Sequence, residues 1–162
     1  IGDKLMLGPN NGKYVQVQVR SIHCKRVPVQ EVSYGCYVCL ALKKIARTNI
    51  RRGNVVLSLD SDLLSVYEFT ADVRIMKAHS TTIRVGYEPV VHVRNVRQVA
   101  KILSITNMVS SRKKGSVIDD QILRTGDKAT IKFRFKRFPE YIKKGQRLLF
   151  CENLTKAIGL VL

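Results

Sequence analysis

Short alternations of apolar and polar residues run through most of the chain. Lys13 to Arg20 (KYVQVQVR) sets Val15, Val17 and Val19 against Gln16, Gln18 and Arg20, which predicts a strand with one inward and one outward face. Lys128 to Lys136 (KATIKFRFK) repeats the pattern, with Ile131, Phe133 and Phe135 on one face and Lys132, Arg134 and Lys136 on the other. Tyr37 to Leu42, Asn54 to Leu59, Glu68 to Lys77, Val90 to Val96 and Lys128 to Phe138 are the further strand candidates. Pro9-Asn10-Asn11-Gly12, Arg52-Gly53, Thr125-Gly126 and Lys144-Gly145 supply turn chemistry between them. No segment holds a helical period for three turns, so the chain reads as all-β, with barrels or sandwiches as the expected architectures.

Organisation along the chain follows from the same pattern. The polar stretch Asp60 to Val66 precedes a new alternating run, which predicts two units, 1–66 and 67–162. Met108 to Asp120 (MVSSRKKGSVIDD) is polar, contains glycine and carries Arg112, Lys113 and Lys114, as a surface loop would. The chain does not begin with Met, and Ile1-Gly2-Asp3 reads as an entry in mid-domain, so a fragment of a longer protein is expected.

Charge changes the picture most. Twenty-nine Lys and Arg against 12 Asp and Glu leave a net charge of +17 on 162 residues, within an otherwise ordinary 45% hydrophobic composition. Such an excess repels itself in the free protein and is best matched by a polyanion. Ten basic and four acidic residues precede Tyr67, and nineteen and eight follow from there on, so both units would have to touch it. A membrane is not the expected partner, because no basic amphipathic helix and no apolar run of about 20 residues is present.

The stretch Gly86 to Ala100 (GYEPVVHVRNVRQVA) shows the consequence locally, with His92, Arg94, Arg97 and Gln98 set among valines. Two residues of a strand advance about 6.6 to 6.8 Å, near the phosphate spacing of an RNA strand, so a cationic outer face can follow a sugar-phosphate backbone. Lys132, Arg134, Lys136, Lys143, Lys144, Lys156, Arg94 and Arg97 are the candidate phosphate contacts in the second unit. His23, Lys25, Arg26, Arg51 and Arg52 are those in the first. Phe133 and Phe135 belong to the buried face, so contacts to backbone and shape are expected rather than base reading.

Catalytic signatures are missing. The sequence has no GxxxxGK[ST] phosphate loop, no GxSxG and no HExxH, and its three histidines, His23, His79 and His92, are scattered. This chain is therefore expected to be non-catalytic, with no catalytic residue and no cofactor of its own. Cys36 and Cys39 have CxxC spacing with His23 and Cys24 upstream, but there is no second CxxC and residues three apart on a strand face opposite ways. Free thiols and no metal are expected.

Several motifs together resemble the third domain of translational GTPases of the elongation factor Tu and elongation factor 1-alpha type. They are Glu68 to Ile75 (EFTADVRI), Thr81-Thr82-Ile83, Gly86 to His92 (GYEPVVH), Asn95 to Gln98 (NVRQ), Leu123 to Ala129 (LRTGDKA), Pro139-Glu140-Tyr141 and Thr155 to Gly159 (TKAIG). Gly2 to Pro9 (GDKLMLGP), Val19 to His23 (VRSIH), Lys25-Arg26, Pro28-Val29, Ala41 to Ile45 (ALKKI) and Ile50 to Gly53 (IRRG) resemble the second domain. The details VRQ, LRTGDKA and FPEY point to the branch called GTP-binding protein 1 and 2. The resemblance implies two β-barrels, the first lacking its opening strands and presenting an open edge. It also implies a preceding domain, outside this chain, that binds GTP and Mg and hydrolyses the nucleotide. The implied partners are aminoacyl-tRNA, the ribosome and that GTPase domain, in the cytoplasm, with the third domain on the T-stem backbone and the second near the aminoacylated end. In the loop Cys151 to Lys156 the family has Arg-Glu-Gly; here Cys151 stands for the arginine and Asn153 for the glycine, so one cation is lost. Two other readings stay open: a stand-alone RNA-binding barrel protein, and an interaction module for acidic partners such as an exchange factor or an RNA-decay complex.

Overall fold

The computed structural model describes residues 1–76, 82–110, 122–152 and 155–162. The chain is all-β, and its one helical element is a single 3-10 turn at Arg47–Asn49 among the described residues.

The first part is an antiparallel five-stranded sheet of β1 (Lys4–Asn10), β2 (Lys13–Cys24), β3 (Val27–Val29), β4 (Val38–Lys43) and β5 (Val55–Leu57). Its order is β3-β2-β1-β5, with β4 also pairing β2, and the sheet is open. Asn11 and Gly12 both take positive φ (46° and 85°), as the tight β1–β2 hairpin requires. Lys25 and Arg26 do the same between β2 and β3 (φ 51° and 70°). Of the three valines expected inward on β2, Val17 and Val19 are buried and Val15 is 41% exposed. The register against β4 shifts between Val19 and Ser21, and the next buried position is Ile22 rather than Ser21. A bulge there reverses the parity, which a strict alternation cannot anticipate.

The second part contains β6 (Glu68–Ile75), β7 (Ile83–Arg84), β8 (Val90–Val93), β9 (Val96–Val109), β10 (Ile122–Leu123), β11 (Lys128–Phe135), β12 (Arg147–Glu152) and β13 (Thr155–Val161). Six of them close into a barrel in the order β11-β6-β13-β12-β8-β9, with β9 returning to β11, while β7 and β10 pair separately. Closure lets alternate residues of every strand share one interior. Phe69 stacks on Phe133 at 5.3 Å between ring centroids and lies 5.0 Å from Phe135, and Phe150 meets Phe133 edge-on at 6.3 Å. Ala71, Ile102, Ile131 and Ala157 fill in around these rings with no exposed surface.

Two sequence expectations change here. Val90 to Val96 is not one strand: Arg94 takes φ 52°, and the chain turns at Arg94-Asn95 into β9. That strand runs on to Val109 and takes in Met108, which is buried in the core, so the expected polar loop cannot start there. Residues 111–120 of that loop lie outside the described residues.

A polar joint ties the open sheet to the barrel. Arg51 grips Glu140 with both ends of its guanidinium, Nη1 to Oε1 at 2.8 Å and Nη2 to Oε2 at 3.0 Å, and Glu140 is only 3% exposed in its side chain. Gln98 Nε2 donates to the same carboxylate at 2.9 Å, while its Oε1 accepts from the backbone N–H groups of Arg137 and Phe138 at 2.8 and 2.7 Å. Arg51 Nη2 also donates to the carbonyl of Pro9 at 3.0 Å, and its guanidinium carbon lies 4.8 Å from the centre of the Phe138 ring. Asn95 Nδ2 donates to the carbonyls of Gly53 and Asn54 at 3.2 and 2.8 Å, and Val66 and Glu140 exchange two backbone bonds at 3.0 Å each. Gly53 has φ 100°, and a Cβ there would sit 2.9 Å from Arg51 Nη1 and 3.2 Å from Glu140 Oε2. The glycine thus serves the joint as well as its turn.

Candidate nucleic-acid interface

The register of β11 decides what its cations can reach. Lys132 stands opposite Thr70 on β6 and Ser104 on β9, and Arg134 stands opposite Glu68 and Lys101. Period two then sends Lys132, Arg134 and Lys136 outward, with 47%, 57% and 58% of each side chain exposed. Lys101, directly opposite Arg134, and Arg74, opposite Lys128, extend the same cationic wall and are also exposed. Neither was among the sequence candidates, because a cross-strand neighbour is visible only once the register is known.

Carboxylates are interposed on this wall. Glu68 takes Lys132 Nζ on Oε2 and Arg134 Nη1 on Oε1, each at 2.8 Å, and Lys136 Nζ meets Glu88 Oε2 at 2.6 Å. Hydrogen bonds from Lys132 and then Arg134 hold the Glu68 carboxyl below the usual carboxylate range. Exposed pairs of this kind contribute little to stability and exchange readily for a stronger anion. A phosphate can therefore compete for these cations.

The remaining candidates fall in different places. Lys143 and Lys144 are exposed in the turn before β12; Lys143 donates its backbone N–H to Gln146 Oε1 at 3.0 Å, and its Nζ lies 5.4 Å from the centre of the Tyr141 ring. Arg94 is exposed in the β8–β9 turn, and Arg97 is exposed on β9 opposite His92. Lys156 lies opposite Cys151 in the β12–β13 register, and its side chain, like residues 153 and 154, is outside the described residues. In the open sheet, His23 pairs across to Pro28 and Cys39, so His23, Lys25 and Arg26 gather where β2 ends, all exposed. Arg52 is exposed near the joint. Arg51 is not set out toward solvent: its guanidinium is occupied by Glu140 and by backbone carbonyls of the joint.

Other chemistry is sparse. Among the described residues no three His, Cys, Asp or Glu side chains cluster as metal ligands would, and no helix is long and apolar enough to cross a membrane. Cys24, Cys36, Cys39 and Cys151 are free thiols.

The chain is 40% identical over 162 residues to GTP-binding protein 1 of Xenopus laevis, covering 99% of this chain and 23% of that protein. The chain is homologous to a segment of GTP-binding proteins 1 and 2. It is 36% identical over 159 residues to GTP-binding protein 2 of Homo sapiens, covering 98% of this chain and 24% of the relative. Elongation factor 1-alpha of Hyperthermus butylicus is 30% identical over 169 residues, covering 99% of this chain and 37% of its own. The chain thus spans about a quarter of the GTP-binding proteins it matches. No family model matches it. Among solved structures, Sup35 complexed with GDP superposes with a TM-score of 0.79 at 16% identity, over 99% of this chain and 40% of that one, which establishes a shared fold.

Proposed function

We infer that this segment is the non-catalytic, RNA-facing part of a GTP-binding translation factor, acting in the cytoplasm on aminoacyl-tRNA and the ribosome. GTP and Mg would be bound and turned over in another domain of the parent protein. The observation that carries the reading is the outward row Lys132, Arg134 and Lys136 with Lys101 beside it, on a segment homologous to translation factors. These side chains, with Arg94, Arg97, Lys143, Lys144 and Lys156, pair with phosphates and contact shape rather than base edges. His23, Lys25, Arg26 and Arg52 supply a second contact on the open sheet. We leave Arg51 out of the contact set, because its guanidinium already serves the joint.

Fluorescence anisotropy with labelled aminoacyl-tRNA and uncharged tRNA, in a salt series, tests this. The expected outcome is a log–log salt slope that falls by about 2–3 for Lys132→Ala/Arg134→Ala/Lys136→Ala, close to 0.9 for each phosphate that is no longer neutralised. An unchanged slope overturns the assignment of this wall. A strong slope with no preference for charged tRNA selects generic RNA binding, and no RNA affinity at moderate salt selects an acidic protein partner.

A further inference from the structure

Three of the four cysteines gather at one end of the open sheet, where β2 stops and β4 begins. Cys24 stands opposite Val38, and His23 stands opposite Cys39. Directly opposed residues of an antiparallel pair share a face and successive residues alternate, so Cys39 lies with His23 on the face that Cys24 does not take. Cys36 and Cys39 are both exposed, whereas Cys24 and Cys151 are half-buried. The charge around the exposed pair is of one sign. Lys25 and Arg26 form the β2–β3 turn beside it, and Glu31 is the one carboxylate within residues 20–50, against six Lys and Arg. An accessible, electropositive setting is where reactive cysteines are found, while buried ones are inert.

We propose that Cys36 and Cys39 are a reversible oxidation site, which a hydroperoxide closes into a disulfide and which releases the start of β4 when it closes. The Cys39 thiolate attacks one peroxide oxygen, the O–O bond breaks, and the other oxygen leaves as water or an alcohol once protonated, so Cys39 becomes a sulfenic acid. The Cys36 thiol then attacks the Cys39 sulfur, the S–O bond breaks, and water leaves with the Cys36 proton. One electron pair thus passes from the two sulfurs to the peroxide, and a dithiol reductant returns it by thiol–disulfide exchange. A disulfide needs its Cα atoms within about 4.4–6.8 Å, whereas three steps of extended strand span about 10 Å. A β-turn brings its first and fourth residues within about 7 Å, so Cys36 to Cys39 must turn for the bond to form. That change ends the Cys24–Val38 and His23–Cys39 rungs, the last of the β2–β4 ladder, and leaves those from Ile22–Leu40 to Gln18–Lys43. Little packing opposes it: Tyr37, between the thiols, is 97% exposed, and Val38 is only half-buried. Cys24 stays in the sheet through its pairing with Val27. A bound metal is not the favoured reading, because His23, Cys24, Cys36 and Cys39 do not converge as ligands.

The test exposes the reduced 162-residue chain to stoichiometric hydrogen peroxide, then alkylates it and digests it with trypsin, which leaves both thiols in one peptide, residues 27–43. That peptide is expected to lose both thiol hydrogens and resist alkylation, and to regain alkylation after dithiothreitol. Cys24 and Cys151 should stay open to alkylation throughout. Cys36→Ser should stop Cys39 at a sulfenic acid that dimedone traps, and Cys39→Ser should leave Cys36 unoxidised. In the oxidised chain, amides of residues 36–39 should exchange about tenfold faster with solvent, while those of residues 40–43 keep their protection. A bridge from Cys24 to either thiol, a disulfide-linked dimer on a non-reducing gel, or Cys39 driven to the sulfinic acid with Cys36 still alkylated overturns the proposal. So does a disulfide that leaves exchange at residues 36–39 unchanged. Stoichiometric zinc binding that shields both thiols would assign them to a metal and overturn it as well. Both serine changes are on exposed positions, and an unaltered melting transition confirms that the fold is retained. No step here involves RNA, so this proposal and the RNA titration of Lys132→Ala/Arg134→Ala/Lys136→Ala can fail separately.

Discussion

The open sheet and the closed barrel are both antiparallel β structures built from period-two sequence, yet they hold together differently. The barrel's interior is one continuous cluster from Phe69 to Val161, centred on Phe69, Phe133, Phe135 and Phe150. The sheet of β1–β5 buries only Leu7, Val17, Val19 and Ile22 among its larger apolar side chains, and Val15, Val27 and Val56 stay exposed. Closing the sheet on itself gives every inward side chain neighbours on all sides, whereas an open sheet needs another layer. The Arg51–Glu140–Gln98 joint fastens the thinly packed sheet to the barrel with its continuous core, so the sheet's order is expected to depend on that joint.

Phe133→Ala removes a fully buried ring that touches two others, and a loss of about 3–5 kcal/mol is expected in urea denaturation, in a single transition that takes the sheet with it. A separate, earlier sheet transition in the wild type would contradict the dependence. Glu140→Ala comes next, at about 3 kcal/mol, because it leaves Arg51 partly buried without its anion and strips Gln98 of an acceptor. Hydrogen exchange should then show β1–β5 losing protection while β6, β11 and β13 keep theirs. Equal loss in both parts would mean the joint matters to the barrel as well. Gly159→Ala sharpens the barrel's own account: a Cβ at 159 would lie 2.3 Å from the Asp72 carbonyl oxygen, so β13 must draw back from β6. About 1–3 kcal/mol is expected by thermal melting, confined to the barrel.

Much of this was legible in the sequence, and what was not has physical causes. The all-β class and the inward Phe133 and Phe135 follow from alternation alone. The bulge after Val19 and the turn at Arg94-Asn95 do not, since each depends on a local backbone choice that the side-chain pattern does not encode. Arg51 and Arg52 are neighbours of the same type, yet one is held in the joint and the other is exposed. Only the distant Glu140 and Gln98 distinguish them, and nothing near position 51 announces that contact. The pairing of Glu68 with Lys132 and Arg134 was hidden for the same reason: a register must exist before a carboxylate can stand beside two cations. The exposure of Leu149, Ile158 and Leu160 on β12 and β13 was not legible either, since their apolar character does not say which face of the barrel wall they take.

The smallest effect separates the two roles the barrel wall can have, self-pairing or phosphate pairing. Glu68→Gln removes the carboxylate between Lys132 and Arg134 without changing shape, so an RNA-binding wall gains affinity. A rise of about two- to fivefold at low salt is expected by anisotropy, with a log–log salt slope steeper by no more than about 0.9, the value of one further neutralised phosphate. Acid should reproduce it in the wild type. The Glu68 pKa is lowered in the folded chain from its ordinary 4.5, so the pairing stabilises the fold fully above that value and is lost only as pH falls through the lower, folded value. Protonation there frees both cations at once, and the affinity gain must appear below pH 4.5, not at it. In Glu68→Gln that acid-side gain should vanish, since no carboxylate remains to titrate. If the variant still gains affinity on acidification by the same factor, another group governs the response and the wall's cations were never held by Glu68.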